Sequence, residues 1–225
     1  PPVEPPAGML DAGVDPRLNI AALQAPGGLR PYPTVAVPER TIHLDAESGN
    51  DSNHGRSWQR AVRSWQRAHD LISDGVGRQR VLVRDGTDPG AFTWTKSGLA
   101  DTPGGLIEIC PETLHGVTLT AKDAGYSVCK FQGCSNVWFH GFKIDGSAAT
   151  GGHGIDIERC HTIHITSNDV FDCPFSGISA ARSDLINVFG CRTYRNASEN
   201  WGSGISFWQP DRIGPDLPGY RILIH

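Results

Sequence analysis

Gly154-Ile155-Asp156-Ile157, Gly177-Ile178-Ser179-Ala180 and Gly204-Ile205-Ser206-Phe207 are three copies of one motif, and the first two carry matching text well downstream. Moving the second copy back by 23 residues sets Ile178 on Ile155, Ala180 on Ile157, Ile186 on Ile163, Val188 on Ile165 and Thr193 on Val170. A shift of 26 sets Cys129 on Ile155, Phe131 on Ile157, Val137 on Ile163, Phe139 on Ile165 and Ile144 on Val170. Apolar residues alternating with period two, repeated every roughly 22 to 27 residues, describe stacked coils of short strands. Looser earlier turns follow at Val81/Val83 and Ile107/Ile109, read as first strands, with Val117/Leu119 as a second-strand pair.

Each coil then has a first strand, a second strand and a third passing through Ile144, Val170 and Thr193. Three short parallel strands per coil make an all-β solenoid, a parallel β-helix of about six coils. Asn168, between the second and third strands, is expected to be buried and stacked, its amide bonded to backbone. Residues 1–40 are a Pro/Gly-rich extended lead-in, 41–78 hold a leading strand and a capping helix, and 79–225 form the β-helix. The helix carries a heptad duplication, Ser57-Trp58-Gln59-Arg60-Ala61 and Ser64-Trp65-Gln66-Arg67-Ala68, with Ser57 as N-cap and Gly75 near its end. Its apolar face of Trp58, Val62, Trp65, Leu71 and Ile72 would close the exposed interior of the first coil.

A net charge of −4 without a basic stripe argues against nucleic acid as a partner, and no apolar run is long enough to span a membrane. The six cysteines lack paired C-x-x-C spacing and so do not read as a zinc site. Cys134 and Cys160 share one column, either as small stacking residues or as a disulfide between neighbouring coils. Asn50-Asp51-Ser52 and Asn196-Ala197-Ser198 fit glycosylation acceptor triplets. In the last coil, the segment from Gln209 to Gly219 lengthens one connection, the kind of insertion that builds a binding face. The chain stops within a strand at Ile222-Leu223-Ile224-His225, which suggests further coils or a second subunit at that end.

Ile42-His43-Leu44-Asp45-Ala46-Glu47-Ser48-Gly49-Asn50-Asp51-Ser52-Asn53-His54-Gly55, then a Trp-bearing helix, then Arg80-Val81-Leu82-Val83-Arg84-Asp85-Gly86, resembles the start of right-handed parallel β-helix proteins of the pectate-lyase-like superfamily, which implies a right-handed parallel β-helix here. The resemblance covers about 41–225. It implies a secreted or cell-surface protein acting on an acidic extracellular polysaccharide, most simply a lyase cleaving by β-elimination. Glycoside hydrolases and non-catalytic glycan-binding or structural segments share the fold. Gly152-His153-Gly154 is similar to the Gly-His-Gly of polygalacturonases, but the Asn-Thr-Asp and Asp-Asp that accompany it there are missing.

If Ile155 and Ile157 point inward, their neighbours point outward. One outward column then reads Leu82, Glu108, Lys130, Asp156, Ser179, Ser206, and another Arg84, Cys110, Gln132, Glu158, Ala181, Trp208. The outward face of the second strand reads Thr118, Trp138, His164, Asn187, Leu223. A uronate lyase must neutralise the substrate carboxylate and remove the proton beside it. Glu108, Asp156 and Glu158 would supply oxygens to Ca2+, and Lys130 or His153 the base. Arg84, Gln132, Ser206, Trp208 and Arg212 would hold the sugar, Arg84 by its carboxylate and Trp208 by stacking. A solvated ion-pair ladder explains Lys130 between acids equally well. A hydrolase would instead use Glu108 and Asp156, two coils and about 10 Å apart.

Overall fold

The computed structural model describes residues 38–86, 88, 90–99, 105–121, 127–198 and 202–208, with backbone alone at 223–224. All of these belong to a unit spanning Pro33–His225. The 1–37 part of the lead-in, the insertion after Trp208 and Arg212 lie outside the described residues.

The strands in chain order are β1 Arg40–Leu44, β2 Gln79–Val83, β3 Phe92–Trp94, β4 Ile107–Pro111, β5 Thr118–Thr120, β6 Cys129–Gln132, β7 Ser135–His140 and β8 Lys143–Asp145. They continue as β9 Ile155–Glu158, β10 His161–Thr166, β11 Asp169–Phe171, β12 Ile178–Ala181, β13 Asp184–Phe189, β14 Arg192–Tyr194, β15 Ile205–Trp208 and β16 Leu223–Ile224. They stack into three parallel sheets: sheet A runs β1-β2-β4-β7-β10-β13-β16, sheet B β3-β6-β9-β12-β15, and sheet C β5-β8-β11-β14. The described residues form a parallel β-helix with four complete coils among them, beginning at β3, β6, β9 and β12.

All ten pairings given by the shifts of 23 and 26 are present, from Ile155↔Ile178 and Ile157↔Ala180 to Ile144↔Val170. The earlier turns sit one column away from where they were expected. Val81–Val83 and Ile107–Ile109 lie in sheet A, where Ile107 faces Val137, and Leu119 lies in sheet C against Ile144. The first sheet-B strand is Phe92-Thr93-Trp94, which pairs with Cys129-Lys130-Phe131. An alternating apolar pair looks the same in every sheet, so its column is set only by the corners around it.

From β6 onward two corners are short. Sheet B passes to sheet A over residues 133–134, 159–160 and 182–183, and sheet A to sheet C over 141–142, 167–168 and 190–191. A left-handed residue recurs at each: Gly133, Arg159 and Arg182 at the first (φ 61, 53 and 51), Gly141, Ser167 and Gly190 at the second (φ 82, 54 and 62). Asn168 follows Ser167, is fully buried, accepts from Phe142 N at 2.9 Å and donates to Phe139 O at 3.2 Å, as the sequence leads one to expect. The third corner varies, over residues 146–154, 172–177 and 195–204. There Asn196 accepts from Cys173 N at 3.0 Å and donates to Val170 O at 3.1 Å, so its amide is committed to the corner instead of a glycan.

The interior is a column of stacked aliphatic and aromatic residues. Phe131, Phe139 and Phe142 are fully buried, with the last two rings 4.6 Å apart and nearly parallel. One end is closed by helix α1, Trp65–Leu71, whose Trp65 ring stacks on Phe92 at 4.2 Å. The duplicated heptads do not make one helix. The first copy forms only a 3₁₀ turn at Trp58–Arg60, because Val62 is drawn into a parallel bridge with Leu44. The N-cap of α1 is therefore Ser64, which accepts from Arg67 N at 3.2 Å, and not Ser57. Asp51 in turn holds Arg63 N, Ser64 N and the Ser64 hydroxyl at 2.7–2.9 Å.

Cys129 points inward and is fully buried, and Cys134 and Cys160 stack with their sulfurs 3.6 Å apart as free thiols.

Candidate functional site

The outer face of sheet B carries the candidate site. Strand pairing aligns Thr93, Lys130, Asp156, Ser179 and Ser206 in one column, and Gln132, Glu158, Ala181 and Trp208 in the next. The outward columns thus hold from Lys130 onward. The upstream members Leu82, Arg84, Glu108 and Cys110 belong to sheet A or its edge, which follows from the column slip described above. On the outer face of sheet A the place expected for Thr118 is taken by Glu108, opposite Trp138.

Lys130 Nζ donates to Glu158 Oε2 at 3.1 Å and lies 3.7 Å from Asp156 Oδ2. Burial opposes the ammonium charge, but the bond to Glu158 and the two carboxylates outweigh it and raise the Lys130 pKa. A lysine held so firmly as a cation is an anion-binding group, the reverse of what its expected role as base requires. The bond to Lys130 lowers the Glu158 pKa despite some desolvation, with help from the charges of Arg159 and Arg182. Asp156 moves the other way. Burial raises its pKa, Glu158 adds to that, and the opposing pull of a protonated His153 and of Lys130 does not cancel it.

His153 stands in the third corner, where Gly152 takes φ +88 and Gly154 passes so close to the next coil that a Cβ would lie 2.4 Å from Val170 Cγ1. Ser176 N donates to His153 Nδ1 at 3.2 Å, a bond that favours the neutral ring protonated on Nε2. Burial lowers its pKa in the same direction, against the pull of Asp156. Ser176, which is buried, accepts from Ser206 Oγ at 2.8 Å, and Trp208 stands 57% exposed at the far end of the face. Two cations that sequence reasoning passed over, Arg159 and Arg182, are exposed at the sheet B to sheet A corner. The shift of 23 that superposes Ile155 and Ile178 also superposes these two, a signal present in the sequence.

Glu108 and Arg84 lie elsewhere. Glu108 is buried on sheet A, where Oε2 accepts from Arg78 at 3.1 Å and Arg80 at 2.9 Å and Oε1 lies 3.0 Å from His140 Nε2. Burial raises its pKa, but His140 and then the two arginines overcome that and hold it at about 2. Arg84 is committed to Asp45 at 3.0 Å and to the face of Trp58 at 4.6 Å. The expected calcium donors Glu108, Asp156 and Glu158 therefore do not assemble, and an ammonium already bridges the last two. Calcium takes six to eight oxygens, a set these residues do not fit. The Glu108–Asp156 pair expected of a hydrolase is likewise split between two sheets.

No protein-family model matches the chain, and no curated protein matches it.

Proposed function

We propose that the chain binds an acidic extracellular polysaccharide along the outer face of sheet B and cleaves it by β-elimination, in the manner of the pectate-lyase-like proteins its sequence resembles. The observation that carries this reading is the contrast between cross-strand neighbours on β6 and β9. Asp156 has a raised pKa while Lys130, 3.7 Å away, is held as a cation. Elimination needs a base of raised pKa beside a fixed positive charge. Lys130, with Arg159 and Arg182 along the corner, would neutralise uronate carboxylates, and Trp208 would stack on a sugar ring. Asp156 would take the proton from the carbon next to the carboxylate. The electron pair of that bond forms the new carbon–carbon double bond as the bond to the departing sugar oxygen breaks, and the proton passes on to that oxygen. A secreted or cell-surface location follows from such a substrate.

The test is incubation with a panel of uronate polymers, followed by the ultraviolet absorbance of the unsaturated product. Wild type should generate it with or without EDTA, and Asp156→Asn should lose it by a factor on the order of 10² or more. New reducing ends without absorbance would replace the lyase by a hydrolase. Glycan binding with neither product would leave a binding module, and no binding at all would remove the carbohydrate reading.

A further inference from the structure

A second cluster stands on sheet A, separate from the sheet-B face. Glu108 and Cys110 are two residues apart on β4 and so share its outer face, and the neighbouring strand β7 brings His140 beside them. One carboxylate oxygen, the thiol sulfur and one imidazole nitrogen lie within 4.8 Å of one another. Among the described residues this is the one His/Cys/acid trio so close. We propose that Glu108, Cys110 and His140 bind a divalent ion of the zinc class.

The donor set selects the ion. A thiolate and an imidazole favour a borderline-soft transition ion over calcium or magnesium, which take oxygen ligands. Zinc bonds of about 2.0–2.3 Å put ligand atoms of a tetrahedral site about 3.3–3.8 Å apart, so only small side-chain rotations separate the present arrangement from one around an ion. The support is built in. Arg78 and Arg80 fix Glu108 Oε2 and leave Oε1 toward His140, while the Trp138 ring lies over His140 at 4.1 Å and 23°. The two guanidiniums also draw electron density from the carboxylate, so the thiolate and imidazole would supply most of the bonding. Binding would displace the thiol proton of Cys110 and place the His140 proton on Nδ1. Three protein donors leave a fourth position for water or another ligand.

The test uses the full chain, freed of metal by chelation and titrated with Zn2+ and, separately, Co2+. We expect a single equivalent of zinc to be retained and to raise the unfolding temperature. The cobalt form should show the intense charge-transfer absorption of a cobalt–thiolate bond. Cys110→Ser should abolish that absorption and weaken zinc binding by about tenfold or more, whereas Cys134→Ser and Cys160→Ser should leave both unchanged. Failure of the wild type to retain zinc, or a cobalt–thiolate band that survives in Cys110→Ser, would overturn the assignment. The wild-type titration decides the matter even if a variant folds poorly.

Discussion

A Cβ built on Gly177 would lie 2.6 Å from the Asn196 amide nitrogen and 2.9 Å from Gly204 O. The glycine of the repeated motif is thus a packing requirement, since each coil is crossed by its neighbour at that point. Gly177→Ala should lower stability by about 1–3 kcal/mol in chemical denaturation through overpacking. Gly133 is a glycine of another kind, with open space around its missing Cβ and φ +61. Its partners in the column, Arg159 and Arg182, hold the same left-handed conformation with side chains, so the strain there is tolerated where a charge is wanted at the surface. Thr162 takes φ 54 with a β-branched side chain. Thr162→Gly should therefore stabilise the fold by about 1 kcal/mol, read as a higher denaturation midpoint at constant slope. The site residues divide along the same line of legibility. Lys130, Asp156 and Glu158 were readable because alternation within a correctly phased strand determines facing. Alternation puts Glu108 in the wrong column, because Ile107 and Ile109 read alike in either sheet.

That error belongs to the element scale. Phe92-Thr93-Trp94 is a strand of three residues between long connections, too short to show a period, and without it Val81/Val83, Ile107/Ile109 and Val117/Leu119 each fall one sheet out of place. The capping helix was legible as apolar periodicity, but the bridge between Leu44 and Val62 is a contact between distant residues that no local pattern announces. The two serines of the duplicated heptad now make different predictions. Ser64→Ala removes both the N-cap and the hydroxyl bonded to Asp51 and should cost about 1–2 kcal/mol. Ser57→Ala, with no side-chain cap bond to lose, should stay within about 0.5 kcal/mol of wild type.

For the molecule as a whole, stability should depend on a histidine far from the proposed chemistry. His164, on the outer face of sheet A between Trp138 and Asn187, has its pKa lowered by burial from 6.5 to about 4. The unfolded chain takes up this proton near pH 6.5 and the folded chain only near 4, so the stabilisation is complete above the first value and is lost as pH falls through the second. The loss should amount to about 2–3 kcal/mol, and His164→Gln should flatten that limb of the pH–stability curve. The three corners of the coil also divide labour across the molecule. From β6 onward two of them keep the same two-residue length from coil to coil and so keep time, holding those strands in step. The third, over 146–154, 172–177 and 195–204, supplies His153, Ser176 and Ser203 beside the sheet-B face and changes length freely. Inheritance of the scaffold is thereby uncoupled from inheritance of the site. Descendants of this chain can acquire a new ligand by rewriting one side of the solenoid, and a designer can graft segments into 172–177 while the other two corners preserve the register.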